Sequence, residues 1–343
     1  MKIPVRFDGA SEDFGLVGRS PKIERVLRII SKIKDDDAPV LITGESGVGK
    51  EVVAGAIHRA SRWASKPFVA VDCSSIGGPL MESELFGYVR GAFTGAEENR
   101  DGLVRAASGG ILFLDEIGEM SPEAQAKLLR LLQEREIRPI GAVKPVKVSV
   151  RVLAATNRDL AAEVKRGRFR KDLFYRLNVL PIHLPPLRER REDILILARH
   201  FIEMHSTHPI TLTDEVSQVL TEYDWPGNVR ELENVVRGFV TLKSDPLIRL
   251  GHLSDQLREF AGQREGRHAV DEPILPLAEV ERRYILRVVD ATKGDITAAA
   301  HMLGIGRTTL YRKLKDYRSG AVADEDEPEA DDDRRPGQIP RLA

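Results

Sequence analysis

The sequence has little of several features that would restrict where the protein works. Its 343 residues include one cysteine, Cys73, so no disulfide can form within the chain. A small buried residue beside a strand explains this cysteine better than a catalytic thiol does. No segment approaches the roughly 18–20 apolar residues that cross a bilayer, and the leading residues MKIPVRFDGASEDFG carry no signal-peptide pattern. These absences predict a cytoplasmic protein without membrane contact.

Charge is nearly balanced overall, at −1, but it is unevenly distributed. Residues 296–318 carry five basic side chains against one acid, Asp316, whereas residues 321–333 carry eight acids and no base. A basic segment of this kind is typical of a nucleic-acid contact, and an acidic segment that cannot bury a core is typical of a disordered end. We therefore expect a nucleic-acid-binding segment followed by a disordered acidic tail, residues 321–343.

Short apolar runs alternate with amphipathic stretches from about residue 14 to residue 185. The runs are rich in β-branched residues and lack polar alternation, so we expect strands that are buried on both faces. They are VLIT (40–43), FVAV (68–71), ILFLD (111–115), VRVLAAT (150–156) and VLPIHL (179–184). The clearest intervening helix runs from Ser121 to Arg135, with Ser121 as its cap. This alternation predicts an α/β fold with a parallel sheet between helices, followed by helices only from about 190 to 260.

A glycine-rich segment follows the first strand and precedes a helical pattern. Residues 44–51 read GESGVGKE, which has the P-loop spacing of glycine, four residues, glycine and lysine. Backbone N–H groups of such a loop point at phosphate oxygens, and the lysine reaches the terminal phosphates. A chance glycine-rich turn is the alternative, which the strand and helix context disfavours. The predicted nucleotide-binding residues are Gly44, Glu45, Ser46, Gly47, Val48, Gly49, Lys50 and Glu51, the last standing where the general motif has a magnesium-binding hydroxyl.

Two acidic residues end the third apolar run, in GGILFLDEIGE (109–119). Ligands of open α/β sheets bind at the carboxyl ends of the strands. We therefore expect Asp115 to hold Mg²⁺, directly or through water, and Glu116 to orient or deprotonate the attacking water. Alone, such a pair would be a solvated strand end. Together with Lys50 it predicts a site that hydrolyses a nucleotide.

The segment GAFTGA (91–96) contains flexible positions around an aromatic and a hydroxyl side chain. Gly91 and Gly95 flank Phe93 and Thr94, and an exposed phenylalanine between glycine hinges favours a mobile contact tip. The alternative is an ordinary surface loop with a packed phenylalanine.

A second compact pattern lies near the carboxyl end, where residues 296–317 read ITAAAHMLGIGRTTLYRKLKDY. An alanine-rich helix, a turn at Gly304–Gly306 and a basic helix fit a helix-turn-helix. The alternative is a helical hairpin with a solvated basic face. The side chains predicted to contact DNA are Arg307, Thr308, Thr309, Arg312 and Lys313.

These motifs together resemble the sigma-54-dependent transcription activators. The resemblance covers about residues 14–245 and rests on GESGVGKE, ESELFGYVRGAFTGA, GGILFLDEIGE, QAKLLRLLQE, RVLAATNRDL, GRFRKDLFYRLNV, LPPLRERREDI and WPGNVRELENVV. It implies an AAA+ ATPase that uses ATP and Mg²⁺, forms a hexameric ring, binds enhancer DNA and remodels the closed complexes of sigma-54 RNA polymerase holoenzyme. The carboxyl end resembles the Fis-type DNA-binding domain. The implied sigma-factor contacts are Gly91, Ala92, Phe93, Thr94, Gly95 and Ala96.

The resemblance also implies roles for single residues. Thr156 and Asn157 would sense the γ-phosphate, and Arg230 would contact the nucleotide from the helical lid. Arg170 and Arg176 would be arginine fingers that reach a neighbouring subunit's nucleotide. The sequence departs from the family at Asp72, where an asparagine commonly restrains the catalytic glutamate, here Glu116. Since two nearby carboxylates repel each other, a shared proton or a bridging water would be needed there.

The predicted organisation follows from these segments. It comprises a short leader (1–13), the α/β ATPase core (14–185), a helical lid (186–260), a linker (261–273), the helix-turn-helix domain (274–320) and the acidic tail (321–343). The leader is too short for a sensory domain, so control in trans by another protein, or by the amount of protein made, is expected. Two rival functions remain: another kind of AAA+ remodeller, and a regulator without enzymatic activity.

Overall fold

The computed structural model describes residues 14–75, 77–242, 246–270, 276–292 and 294–319, and the chain divides into two compact units, residues 1–264 and 265–343. The described strands are β1 (Val40–Thr43), β2 (Phe68–Asp72), β3 (Gly87–Tyr88), β4 (Arg100–Asp101), β5 (Ile111–Asp115), β6 (Glu136–Ile137), β7 (Val146–Lys147), β8 (Arg151–Thr156), β9 (Leu180–His183), β10 (Thr211–Leu212) and β11 (Leu247–Ile248). The predicted leader and acidic tail lie outside the described residues.

The helices, like the strands, are given for the described ranges. They are α1 (Pro21–Ile33), α2 (Lys50–Ala60), α3 (Gly78–Phe86), α4 (Leu103–Ala106), α5 (Pro122–Glu134), α6 (Leu160–Lys165), α7 (Lys171–Leu177), α8 (Ile194–His205), α9 (Asp214–Glu222), α10 (Asn228–Leu242), α11 (Asp255–Val270), α12 (Leu277–Ala291), α13 (Ile296–Leu303) and α14 (Arg307–Ser319). None of the helices in these ranges is long and apolar enough to span a membrane.

Five parallel strands form the main sheet, in the order β2-β5-β8-β1-β9. The predicted parallel α/β sheet is confirmed. The three central strands are buried on both faces, but β2 and β9 are only partly buried, so the expectation of two-sided burial is wrong for them. The reason is position, because β2 and β9 are the edges of the sheet.

Side chains of the central strands alternate between two apolar cores. On β5, Leu112 and Leu114 enter the core that contains helices α3, α5 and α7. Ile111 and Phe113 enter the opposite core, with helices α1 and α2. A strand with its period of two can supply both cores only when helices cover both faces.

Two helices that flank the sheet begin with the same local chemistry. The side chain of Ser20 accepts a hydrogen bond from the backbone of α1, Ser121 does so for α5, and each is followed by proline in the first turn. A serine cap satisfies an otherwise free N–H group, and proline has none to satisfy. The helix predicted from Ser121 to Arg135 is thereby confirmed, with Arg135 as its left-handed end.

A third core lies between Leu187 and Ala261 and forms a helical subdomain, called here the lid, around Trp225. The expectation of helices only is wrong, since β10 and β11 form a short parallel pair. The expected linker at 261–273 is also wrong over much of its length, because α11 continues to Val270. Ala261 is buried in the lid core, and the polar residues after it include good helix formers.

The second unit is a small three-helix arrangement. Ile285 of α12, Ala299 and Ala300 of α13, and Leu310 of α14 form its buried core. Helix α13 ends at Gly304, whose φ of 65° is left-handed, and α14 begins three residues later. The two helices and the tight turn predicted from the sequence are confirmed.

Candidate active site

The carboxyl ends of the central strands bring the predicted polar residues together. Asp72 pairs in register with Asp115, and Thr43 pairs with Thr156. Since the strands are parallel, their carboxyl ends share one edge of the sheet, and loops and helix starts surround that edge. The segment 44–49 leaves β1 at this edge and leads into α2.

The P-loop curls around the amino group of Lys50. Gly47 and Gly49 have φ values of 76° and 104°, a region that side chains rarely adopt. A Cβ on Gly47 would also lie 2.3 Å from the carbonyl oxygen of Gly227, so glycine is required there. Lys50 is 6% exposed, and its Nζ donates to the carbonyl oxygens of Gly44 (3.1 Å) and Glu45 (3.3 Å). A cation and several loop N–H groups are therefore gathered at one point.

Glu116 connects three of the predicted functional residues. Its Oε1 accepts from Lys50 Nζ at 3.2 Å and its Oε2 accepts from Asn157 N at 3.1 Å. The Asp115 carboxylate accepts from Glu116 N at 2.9 Å. Glu116 has a left-handed backbone, with φ 49° and ψ 48°. Such strain in a residue other than glycine persists where the surroundings hold it, which is common at functional sites.

The carboxyl group of Asp115 is partly buried among other acids. Burial, and after it the charges of Glu116 and Asp72, raises the pKa of Asp115 above its ordinary value, although the Glu116 N–H opposes this. A divalent cation would favour the ionised form. Carboxylates are the protein ligands that Mg²⁺ prefers. The residues present therefore fit a magnesium–nucleotide complex, with Lys50 and the loop N–H groups for phosphate and Asp115 for the cation.

The two carboxylates at positions 72 and 116 have separate partners. Oδ1 of Asp72 accepts from the backbone N (2.8 Å) and the Oγ (2.7 Å) of Ser74. Hydrogen bonds from the following turn therefore hold one oxygen of the Asp72 carboxylate, and the shared proton or bridging water expected between Asp72 and Glu116 stays a prediction. Thr156 is fully buried, and its hydroxyl oxygen accepts from Arg158 N. Asn157, at the exposed strand end, contacts Glu116 through its backbone rather than its side chain.

The lid contacts the P-loop directly, at the start of α10. Val229 N and Arg230 N donate to Gly47 O at 3.0 and 3.2 Å, and the Arg230 side chain reaches Ser46 Oγ at 3.3 Å. Arg230 thus lies beside the P-loop, and its expected contact with the nucleotide stays a prediction. Asn228 also bonds there through Nδ2, and it was missed by sequence reasoning. Its buried side chain and positive φ of 54° give no signal in the sequence.

The two expected arginine fingers lie at the start of α7 and within it. Arg170 precedes α7 and Arg176 lies within it, and both are exposed. Arg170 forms an ion pair with Asp172 at 2.7 Å. That pair holds the pKa of Asp172 below its ordinary value. An exposed ion pair costs little to break, so Arg170 can exchange this partner for another.

The GAFTGA segment forms a tight exposed loop between β3 and β4. Gly91 N donates to Ala96 O at 2.9 Å, and Gly91 and Gly95 have φ values of 78° and 100°. Phe93 is 44% exposed while its ring packs against Tyr88, with centroids 4.9 Å apart. The ring of Phe93 therefore packs on one side and is accessible on the other, and its role as a mobile contact tip stays a prediction. Thr94 is exposed at the tip.

The basic helix α14 presents only some of the expected side chains. Arg307, Thr308 and Arg312 are exposed, and Thr309 is half-buried. Lys313 Nζ donates to Glu281 of α12 at 2.8 Å, and its expected contact with DNA stays a prediction that would require it to exchange this exposed partner. Tyr311, which sequence reasoning missed, is 67% exposed. It lies four residues after Arg307, on the same helix face.

Three family models match successive parts of the chain. The model described as Sigma-54 interaction domain matches residues 16–183, and the AAA+ ATPase lid domain matches residues 188–269. The model described as Bacterial regulatory protein, Fis family, matches residues 276–317. The three matches together cover most of the chain.

Named relatives and solved structures agree with these models. Transcriptional regulatory protein ZraR of Escherichia coli K12 is 45% identical over 317 residues, which are 89% of this chain and 69% of the relative. Regulatory protein AtoC of the same strain is 46% identical over 313 residues, or 88% and 67%. The structure of NtrX from Brucella abortus in complex with ATP has a TM-score of 0.67 and 34% identity, and covers 88% of this chain and 69% of that one. Another NtrX structure, with ADP, has a TM-score of 0.67 and 33% identity, with the same coverage.

Proposed function

Because the chain belongs to the family of sigma-54-dependent transcription activators, with an AAA+ domain, its lid and a Fis-type DNA-binding domain, we propose that it hydrolyses ATP to convert closed complexes of sigma-54 RNA polymerase into open ones. The observation that carries the proposal is the convergence of Lys50, Asp115 and Glu116 at the carboxyl ends of the strands. The ATP-bound and ADP-bound NtrX structures support nucleotide binding at this kind of domain.

ATP would lie against the P-loop. Lys50 and the loop N–H groups would bind its phosphates, and Asp115 would hold Mg²⁺, which neutralises phosphate charge. Glu51 is exposed at the second position of α2 and offers no hydroxyl ligand. Water would complete the coordination there, as Mg²⁺ commonly retains several water ligands.

Glu116 would act on the attacking water. In the structure its carboxylate is held by Lys50 and Asn157 N, so a bound γ-phosphate that draws Lys50 away would free one oxygen to accept a proton. The strained backbone of Glu116 keeps the side chain directed at this point. Thr156 would sense the phosphate through the P-loop, since its carbonyl oxygen accepts from Gly44 N at 3.3 Å while its hydroxyl accepts from Arg158 N.

Hydrolysis would require a second subunit. Arg170 and Arg176 are exposed, and an arginine supplied by a neighbour can raise the rate of phosphoryl transfer by about 10³–10⁵. We propose the hexamer of the family as the assembly that brings α7 of one subunit to the P-loop of the next.

The output of the cycle would pass through the GAFTGA loop. Phe93 and Thr94 are exposed there, and the loop is short and closed by its own hydrogen bonds. The loop would contact the sigma factor, while α14 in the second unit binds enhancer DNA. Another kind of AAA+ remodeller would not need this loop or this DNA-binding unit. A regulator without enzymatic activity would have no use for the Lys50–Glu116 arrangement.

The decisive experiment compares two variants in an ATPase assay. Lys50→Ala should abolish nucleotide binding, because the phosphates lose their buried cation. Glu116→Gln should retain binding and lose turnover, because the amide cannot accept the proton from water. Open-complex formation on a sigma-54 promoter then distinguishes this function from that of other remodellers. Wild-type turnover by Glu116→Gln would refute the assignment, and an ATPase that opens no sigma-54 promoter would refute the output.

A further inference from the structure

One carboxylate of the P-loop is neutralised entirely from the lid. Arg188 donates to both oxygens of Glu45, from Nη2 to Oε1 at 2.6 Å and from Nη1 to Oε2 at 2.8 Å. Asn228 Nδ2 donates to Oε2 at 3.1 Å. The hydrogen bonds from Arg188 and then Asn228 lower the pKa of Glu45 to about 2, so its side chain is ionised at neutral pH. A fixed negative charge in the phosphate loop therefore depends on the lid for its counter-charge.

Glu45 also faces the phosphate site through its backbone. Its carbonyl oxygen accepts from Lys50 Nζ at 3.3 Å. The same residue thus contacts the cation that would bind phosphate and, on its other side, the arginine of the lid. An anionic ligand bound by Lys50 must experience the charge of the Glu45 side chain, because both belong to one loop of seven residues, 44–50.

The state of this charge would change the affinity of the loop for phosphate. While it is paired with Arg188, the Glu45 carboxylate contributes little net electrostatic potential at the phosphate site. The pair is partly exposed to solvent, and removal of the arginine alone would leave an unpaired negative charge on the P-loop. A nucleotide carries several negative charges, and their combined repulsion is expected to weaken binding roughly tenfold. The lid could therefore weaken nucleotide binding by withdrawing one side chain.

We infer that Arg188 is a positioning residue for nucleotide binding, which makes the P-loop receptive to an anionic nucleotide only while the lid is docked on it. The inference rests on the proposed nucleotide binding at Lys50 and adds the means by which the lid controls it. When the lid withdraws, Glu45 loses its counter-charge at the moment when Val229 and Arg230 release Gly47. Repulsion and loss of the loop's shape would then favour nucleotide release together.

The test is a double-variant comparison in the full chain. Dissociation constants for a fluorescent N-methylanthraniloyl-ADP would be measured for wild type, Arg188→Met, Glu45→Gln and the double variant. Arg188→Met should bind roughly tenfold more weakly than wild type, because it leaves the charge of Glu45 unpaired. The double variant should bind roughly tenfold more tightly than Arg188→Met, because it no longer contains the unpaired carboxylate, and Glu45→Gln completes the cycle that isolates this coupling. In ATPase assays, Arg188→Met should raise KM more than it lowers kcat.

Two further variants separate charge from structure. Arg188→Lys keeps the charge without the bidentate geometry and should recover most of the affinity. Arg191→Met is the matched control, since Arg191 belongs to the same segment but bonds lid groups, Thr221 O, Glu222 O and Asp224, instead of the P-loop. Its affinity should stay within about twofold of wild type.

The outcomes distinguish this inference from the proposed function. If the Glu45–Arg188 pair were only a mechanical tie, the two single variants and the double variant would bind equally weakly, and the inference would be overturned. If wild type bound the ADP analogue no better than Lys50→Ala does, the proposed nucleotide site itself would be wrong. Weak binding by Arg188→Met alone, restored by adding Glu45→Gln, supports the inference.

Discussion

Asp193 is a buried carboxylate that joins the start of the chain to the lid, and its removal should destabilise the lid. It is 0% exposed, and Arg19 N (2.6 Å) and Ser20 N (2.9 Å) donate to its Oδ1. Ser20 Oγ donates to its Oδ2 at 2.6 Å. The buried guanidinium of Arg190 lies close enough for its pKa to be affected by the Asp193 charge, although burial is the larger influence and lowers that pKa.

The magnitude follows from what each substitution leaves behind. Asp193→Ala would orphan three donors and remove the negative charge near Arg190, which is expected to cost about 3–5 kcal/mol of unfolding free energy. Asp193→Asn keeps the shape and can still accept two bonds, while the Ser20 hydroxyl can rotate to accept from the amide. Only the charge is then lost, at a cost of about 1–2 kcal/mol.

The assay can observe the lid separately because the chain has two tryptophans. Trp225 is fully buried in the lid, with its ring 5.2 Å from that of Tyr223, whereas Trp63 packs on the core beside the sheet. A Trp63→Phe background leaves the fluorescence of Trp225 as the probe of lid unfolding in urea. With an m value of about 2 kcal/mol/M, Asp193→Ala should lower the midpoint by roughly 1.5–2.5 M.

A matched control uses another aspartate of the lid. The Asp224 side chain is 73% exposed and paired with Arg191, so Asp224→Ala should change stability by no more than about 0.5 kcal/mol. If Asp193→Ala shifted the midpoint no more than this control does, the argument from burial and orphaned donors would be refuted. A loss from Asp193→Asn equal to that from Asp193→Ala would show instead that charge dominates the contact.

Three other expectations concern the thiol, the DNA-binding helix and the loop. Burial raises the pKa of the Cys73 thiol to about 12, and the charges of Asp72, Asp115 and Glu116 add to this effect. Iodoacetamide at pH 8 should therefore label Cys73 only after the protein unfolds. Rapid labelling of the folded protein would contradict this. Arg312→Ala should weaken DNA binding and reduce the slope of log binding constant against log salt concentration by about 1. Lys313→Ala should have a smaller effect, because the Nζ of Lys313 is bound by Glu281. Equal effects of the two variants would indicate that Lys313 contacts DNA. Thr94→Ala should retain ATP turnover and lose open-complex formation, and normal promoter opening would remove the loop from the output.

The sequence predicted most of the site because its residues lie in contiguous motifs at element ends. The P-loop pattern needs only the order of the glycines and Lys50, and the two acids proposed for catalysis lie at the carboxyl end of an apolar strand, which must face the same edge of the sheet. Burial was predicted wrongly for the edge strands β2 and β9, because the sequence of a single strand does not reveal its position in the sheet. The ion pair between Lys313 and Glu281 was not predicted, because a basic residue on one helix does not reveal an acidic partner on another.

The lid contacts could not be predicted because their partners are remote in sequence. Arg188 and Glu45 are separated by 143 positions, and Asp193 and Ser20 by 173. Neither Arg188 nor Asp193 stands out in the sequence, because the charged segment LPPLRERREDI that contains them has the composition of an ordinary solvated turn. Only the packed structure shows that one is bound in the phosphate loop and the other is fully buried.

Side chains of the segment 188–193 contact both the lid and the sheet-containing part of the first unit. Arg188 and Arg190 reach the P-loop, the latter through Val48 O at 3.0 Å, and Asp193 binds the residues before α1. Arg191 instead bonds carbonyl groups of the lid. A rotation of the lid would therefore break the contacts of this segment together with those of Asn228, Val229 and Arg230 on the P-loop. Contacts that are lost together favour two discrete positions over a continuous range, which is what the proposed control of phosphate affinity by Arg188 requires.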